Sequence, residues 1–200
     1  MDHGSLHSAS DATLDLLFRE ARTHAAWSDQ PVADATLRQL YDLTKMAPTA
    51  FNSQPLRVVF VASAEGKARL KPALAAGNVD KTMAAPVTAI LAHDVDFPAF
   101  LPRLAPHMDA GAWQARPEAA RAAVAGQNGW LQAGYFILAA RSLGLDCGPM
   151  GGFDAEKVDA AFFAGSGWRS HLLCNLGQGD PSRLRPRAAR LTFDEACRVV

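Results

Sequence analysis

The stretch from Trp130 to Ala140 constrains the fold of this 200-residue chain more than any other. Trp130, Leu131, Ala133, Gly134, Phe136, Ile137, Leu138, Ala139 and Ala140 are apolar nearly all round a helical wheel. A helix of that kind has to be covered on every side, by its own chain or by another subunit. The pattern predicts a long central helix that starts near Pro117, a good first-turn residue, and ends at Gly144, a good residue just past a helix end. Gly126, Gly129 and Gly134 allow close backbone approach along it. Covering such a helix needs a substantial core, and 49% hydrophobic residues supply one. Twenty basic residues balance twenty acidic ones, so no overall field favours nucleic acid or an anionic membrane surface.

The length suits one domain over residues 1–200, with a polar, disordered start over about 1–10 and a C-terminal arm over about 181–200. Leu14, Leu17, Phe18 and Ala21 predict a helix from about Asp11. Leu37, Leu40, Tyr41 and Thr44 predict another from Asp34 that ends before Pro48. Further helices are expected over 64–74 and 154–163, and strands over 56–62, 86–92 and 170–176. The segment 97–106 holds three prolines among apolar residues and reads equally as an irregular cover or a surface crossover. Helices and strands alternate irregularly, which favours a mixed α/β sandwich over a parallel doubly wound sheet. The first residues lack the cationic-then-apolar order of a signal peptide, and no uncharged apolar run is long enough to span a bilayer. Cys147, Cys174 and Cys197 are an odd, widely spaced set, as expected of a reducing compartment. A soluble cytoplasmic protein is expected.

Several chemistries lack their motifs. No G-x-G-x-x-G follows a strand, and neither a phosphate loop nor a G-x-S-x-G elbow occurs. No H-E-x-x-H occurs, and the one i, i+4 histidine pair, His3 and His7, lies in the polar start, so no metal site is expected. Redox chemistry in this chain would therefore need a bound prosthetic group to carry electrons. Four segments hold the remaining polar chemistry: Arg22-Thr23-His24, the loop Ala47-Pro48-Thr49-Ala50-Phe51-Asn52-Ser53-Gln54-Pro55, Pro149-Met150-Gly151-Gly152-Phe153-Asp154, and Gly177-Gln178-Gly179-Asp180 leading to Arg183, Arg185, Arg187 and Arg190. Each has an ordinary reading as turn, connector or solvated charge. Together they offer phosphate cations, amide contacts and glycines that let a planar ring come close.

On these motifs the chain resembles the FMN-dependent nitroreductase family, from about Leu14 to the C-terminus. The Arg-Thr-His segment followed by Trp27 and Pro31-Val32 is similar to the family's N-terminal signature. The A-P-T-A-x-N-S-Q-P loop is similar to its A-P-S-x-x-N-x-Q-P-W loop, and Gly144-Leu145 through Phe153-Asp154 to its G-L-x-x-x-P-x-x-G-F-D segment. Ser63-Ala64-Glu65-Gly66-Lys67 and Ala85-Pro86-Val87-Thr88-Ala89-Ile90 resemble one branch, which reduces malonic semialdehyde to 3-hydroxypropionate in uracil (pyrimidine) catabolism.

The resemblance implies an α+β fold, a mixed sheet flanked by helices, and a homodimer with FMN at each subunit interface. It implies NAD(P)H as co-substrate, with NADH against NADPH left open. By the same resemblance, Arg22, Thr23 and His24 would lie at the FMN phosphate, with Arg187 or Arg190 completing it. Thr49 and Asn52 would approach from the opposite subunit. Lys81 would stand near the pyrimidine edge of the ring, and Met150, Gly151 and Gly152 near N5. Hydride would pass to N5 and then to the aldehyde carbon. Arg103 is a candidate cation for the substrate carboxylate, and His107 or bound water a candidate proton source. Ala26, Leu56 and Gly151 stand where the family pattern has a basic residue, an aromatic and a Glu. Two other readings share the motifs: a broad nitro- or quinone-reductase, and a flavin-binding module without turnover.

Overall fold

The computed structural model describes residues 8–200. The disordered start expected over about 1–10 lies, for residues 1–7, outside the described residues. Helix α1 (Asp11–Leu14) continues as a π-helical stretch over Asp15–Arg19, and α2 spans Asp34–Thr44. Strand β1 (Leu56–Val61) is followed by α3 (Ala64–Leu70), α4 (Val79–Ala84) and β2 (Val87–Asp94). Then come α5 (Leu101–Leu104), α6 (Ala110–Gln114) and the long α7 (Glu118–Ser142). The chain closes with β3 (Asp146–Met150), α8 (Ala155–Phe162), β4 (Trp168–Gly177) and the short α9 (Phe193–Ala196).

The strands form one sheet in the order β1-β2-β4-β3, every neighbouring pair antiparallel. Mixed character enters only at an isolated parallel bridge between Thr23 and Cys147, outside the named strands. Ile90 faces Leu173 at the sheet centre. β2 and β4 are apolar on both faces because helices cover both, giving a helix–sheet–helix sandwich. On one face Leu37, Leu40, Leu91, Phe136, Ala140 and Leu172 join α2 and α7 to the sheet. On the other, Leu70, Ile90, Val158, Phe163 and Leu173 join α3 and α8 to it.

Local chemistry sets the helix ends. Ser10, not Asp11, caps α1, its hydroxyl accepting from the Thr13 N–H at 3.2 Å. Asp154 caps α8 by accepting from the Lys157 N–H at 3.1 Å. Pro117 is the residue before α7 rather than its first, and Gly144, at φ +75°, turns the chain out of it. The helix begun at Ala64 ends at Leu70, because the N–H-less Pro72 forces a tighter turn over Lys71–Ala73.

Two expectations differ from the structure. The segment Pro149–Asp154 had an ordinary reading as a connector, yet its first two residues belong to β3 (Asp146–Met150), which lies at the sheet edge, the one place a sheet accepts proline readily. The segment 97–106 is neither irregular nor a plain crossover. Phe97, Leu101 and Ala105 are fully buried in a third cluster with Trp113 and Ala125, helped by Phe51. α7 is covered by the sheet, by α2 and by the 15–19 stretch but not all round: Trp130 is 52% and Leu131 53% exposed.

Candidate active site

The sequence-predicted residues fall into two groups held at opposite ends of α7. At its C-terminal end, the Arg22 guanidinium donates to the Arg185 carbonyl, and Arg187 Nη2 donates to the Ala21 carbonyl at 3.0 Å. Arg141, in the last turn of α7, joins them: its Nη1 donates to the Leu17 carbonyl at 3.0 Å, while its buried Nε has no hydrogen-bond partner. Among the described residues none of these three guanidiniums pairs with a carboxylate. Arg22 and Arg141 line a small cleft of about 80 Å³ with Leu16, Ala21, Gly144, Leu145 and Asp146. Arg190 stands apart, donating only to Ala188 and Ala189 of its own segment.

His24 is buried beside this cluster. Its backbone N–H donates to the Cys147 carbonyl at 3.0 Å, its Nε2 lies 3.4 Å from Asp146 Oδ1, and its Nδ1 has no partner. Thr23 is exposed and bridges to Cys147. Gly179 closes the other side of the imidazole: a Cβ there would stand 2.0 Å from His24 Nδ1, so only glycine fits. The Gly179 N–H also donates to Asp146 Oδ2 at 2.8 Å.

From this point a track runs along β3. Trp27 lies over Gly148 and Gly177, and its Nε1 donates to the Lys81 carbonyl at 3.1 Å. Asn175 donates to the same carbonyl at 3.2 Å, so the backbone of Lys81 is held twice while its side chain is half-buried. At the far end, Met150 is buried against Thr82, and Gly151 and Gly152 present exposed backbone. The Gly152 carbonyl accepts from Asn78 Nδ2 at 2.7 Å and from the Ala75 N–H at 3.1 Å. A Cβ at Gly152 would collide with Asn78, whereas one at Gly151 would meet nothing. At the strand rise of roughly 3.3 Å per residue, Asp146 to Gly152 spans about 20 Å. The track has guanidiniums at one end, bare glycine backbone at the other, and Lys81 between.

Thr49 and Asn52 belong to the second group. The Asn128 side chain of α7 accepts from the Ala50 N–H at 2.7 Å, and Gln132 accepts from the Leu56 N–H at 2.9 Å, pinning both ends of the 49–55 loop to the helix. Asn52 Nδ2 donates to the Leu104 carbonyl at 2.8 Å, and Thr49 Oγ1 accepts from the Gln54 N–H at 3.2 Å. Phe51, Asn52 and Gln54 all take positive φ (43°, 57° and 42°), a conformation that costs energy in non-glycine residues. At about 1.5 Å per helical residue, Asn128 and Arg141 stand about 20 Å apart. One subunit therefore does not bring Thr49 and Asn52 to Arg22 and His24. Arg103 and His107 are exposed; Arg103 lines a groove of about 350 Å³ with Gln54, Arg57, Phe100 and Trp168.

Reading the sequence missed Arg141, Asn128 and Gln132. Arg141 reads as an ordinary cation in a last helical turn, and the two amides read as polar interruptions of an apolar helix. Their one visible signal is that Asn128 and Gln132 lie one helical turn apart on a helix otherwise free of reason for amides.

These elements define a helix–sheet–helix α+β chain with an extended track headed by guanidiniums and without a nucleotide-binding glycine fingerprint. Residues 19–178 match the sequence pattern of the Nitroreductase family, and the chain belongs to that family. It is 58% identical over 193 residues (96% of this chain, 98% of the other) to a protein of Stutzerimonas stutzeri strain A1501 provisionally named NADH dehydrogenase/NAD(P)H nitroreductase. A protein of Leptothrix cholodnii with the same provisional name is 59% identical over 196 residues (97% and 99%). The fold superposes with a TM-score of 0.83 and 19% identity on a nitroreductase of Exiguobacterium sibiricum 255-15 solved in complex with FMN, over 96% of this chain and 99% of that one. No helix among the described residues is long and apolar enough to cross a membrane.

Proposed function

We propose that this protein is an FMN-dependent reductase that takes hydride from NAD(P)H and delivers it to malonic semialdehyde, giving 3-hydroxypropionate in pyrimidine breakdown. The observation that carries the cofactor reading is the track along β3, with its unpaired guanidiniums and the partnerless, buried Nδ1 of His24 at one end. Arg22, Arg141 and Arg187 fit a phosphate dianion, with His24 buried beside them. The Lys81 ammonium fits the pyrimidine edge of a flavin ring, where positive charge favours the reduced anion. The bare backbone of Gly151 and Gly152 leaves room for the ring and a stacked reactant. FMN bound there supplies the two-electron relay that the side chains lack. Arg103 is the candidate partner for a substrate carboxylate, and His107 or water for the proton that the new alkoxide takes up.

The same reading requires a homodimer, because Thr49 and Asn52 reach a second copy's track only across an interface. Three features support it: β1 has an outer edge unpaired among the described residues, α7 exposes Trp130, Leu131 and Tyr135, and the segment from Leu184 onward carries exposed Leu191 and Phe193. The names of the relatives favour a second reading, a broad nitroarene or quinone reductase with the same cofactor.

The deciding experiment is the visible spectrum of purified protein under nitrogen, after NADPH and then after malonic semialdehyde. A yellow protein that bleaches with NADPH and recovers with the aldehyde is expected. Recovery only with a nitroarene or quinone would replace the substrate; a protein that takes up no FMN would end the cofactor reading.

A further inference from the structure

Lys67 is 5% exposed, and its ammonium meets no carboxylate among the described residues. Nζ instead donates to three neutral oxygens: the Thr82 carbonyl at 2.7 Å, the Ala85 carbonyl at 2.9 Å and Thr88 Oγ1 at 2.7 Å. Two of these are backbone acceptors at the end of α4, where carbonyls lack helical partners. Thr88 Oγ1 passes the chain on, donating to Asn175 Oδ1 at 2.7 Å. Asn175 Nδ2 in turn donates to the Lys81 carbonyl at 3.2 Å and to Thr82 Oγ1 at 3.4 Å. Thr82 Oγ1 faces Met150 Sδ at 3.5 Å. One buried cation on α3 therefore fixes the end of α4 that carries Lys81, and through Asn175 and Thr82 the β3 end that carries Met150.

Replacing buried charges by apolar residues of similar volume is often neutral or stabilising, so Lys67 contributes little to stability that an apolar residue would not. Desolvation already pushes the Lys67 pKa down to about 8. The atoms it organises are those of the track rather than of the general core.

We infer that Lys67 is a positioning residue of the reductase: its three hydrogen bonds set where Lys81 and Met150 stand at the cofactor. This rests on the FMN reading above. The two fail differently, because FMN uptake by the unsubstituted protein tests that reading alone.

The test is Lys67→Met in the FMN-loaded protein, alone and combined with Lys81→Ala, read by stopped-flow reduction with NADPH, the flavin midpoint potential and thermal melting. Lys67→Met is expected to slow cofactor reduction about tenfold and to make the flavin harder to reduce. With Lys81→Ala present, the same substitution should change the rate less than about twofold, since coupled residues are non-additive. A Lys67→Met protein that melts lower but keeps the parental rate and potential would overturn the inference, as would effects that simply multiply. Should Lys67→Met not fold, Thr88→Val removes the hydroxyl that joins Lys67 to Asn175, leaves the ammonium its two carbonyl acceptors, and carries the same expectations; a parental rate and potential there would also overturn it. A parent that binds no FMN removes the cofactor reading and the inference with it.

Discussion

Gly179→Ala tests the geometry of the phosphate end more severely than any charge removal. The added Cβ would lie 2.0 Å from Nδ1, 2.2 Å from Cγ and 2.5 Å from Cε1 of His24. No rotamer of a methyl group relieves this, so the imidazole or the chain must move. The ring is confined by Asp146 at Nε2 and by Trp27, 6.3 Å away between ring centroids. Asp146 is itself held by the Gly179 N–H, so displacing either partner loosens the other. Forced overpacking costs about 1–3 kcal/mol. Losing a hydrogen bond to a charged group adds about 1.5–3 kcal/mol, for a total of roughly 2.5–6 kcal/mol. For a chain of this size that corresponds to a melting temperature lower by about 5–24 °C. Thermal and urea unfolding of Gly179→Ala, His24→Ala and the double variant check the argument. Removing the ring frees the space, so the double variant should be more stable than Gly179→Ala alone. Were Gly179→Ala to melt within a degree or two of the parent, the close packing of His24 on residue 179 would be refuted.

Asn128→Ala removes the acceptor of the Ala50 N–H, at a cost of about 0.5–1.5 kcal/mol, and should loosen the 49–55 loop; unfolding and limited proteolysis at that loop would show it. Arg141→Ala removes a charge-assisted donor worth about 1.5–3 kcal/mol, so FMN binding should weaken about 10- to 150-fold in a fluorescence titration, and an unchanged affinity would exclude Arg141 from the site. His171 lies 3.4 Å, nitrogen to nitrogen, from His93, and burial with its neighbour's field pushes its pKa down to about 4. The unfolded chain binds that proton near pH 6.5 and the folded one only near 4, so stability should fall as pH drops from 6.5 to 4, by up to about 3 kcal/mol. His171→Gln should flatten that part of a melting-against-pH curve. Lys67, pushed to about 8 from 10.5, behaves alike at higher pH: its burial cost is in full force below pH 8 and is relieved as pH rises toward 10.5. Stability of the parent relative to Lys67→Met should therefore rise over that window.

What the sequence made legible was whatever a local pattern dictates. The apolar runs at 56–61, 87–92 and 170–176 became β1, β2 and β4, since strands buried on both faces need no alternation to be seen. Gly144 and Asp154 marked helix ends through backbone conformation and side-chain capping that act within a few residues. β3 was hidden because its Gly148 and Pro149 break a strand anywhere but at an edge, and edges are fixed by tertiary order. The cluster of Phe97, Leu101 and Ala105 was hidden because its partners, Trp113 and Ala125, lie beyond a run of prolines. Among the proposed site residues, Arg22, His24 and the glycines were picked out by their resemblance to family motifs, while Arg141, Asn128 and Lys67 carried no local signal: each meets residues far away in the chain.

The central pairing of β2 with β4 has a consequence for how the protein is made. Val87–Asp94 emerges from the ribosome roughly seventy residues before Trp168–Gly177, a wait of about 4–15 s at ordinary elongation rates. During that interval an eight-residue strand, apolar on both faces, has β1 on one side and nothing on the other. Its partner on the nascent chain does not yet exist, and pairings this distant in sequence also close slowly once both halves are present. The period of greatest exposure to aggregation thus falls late in synthesis, and yield of folded protein should follow elongation rate and chaperone supply more closely than final stability.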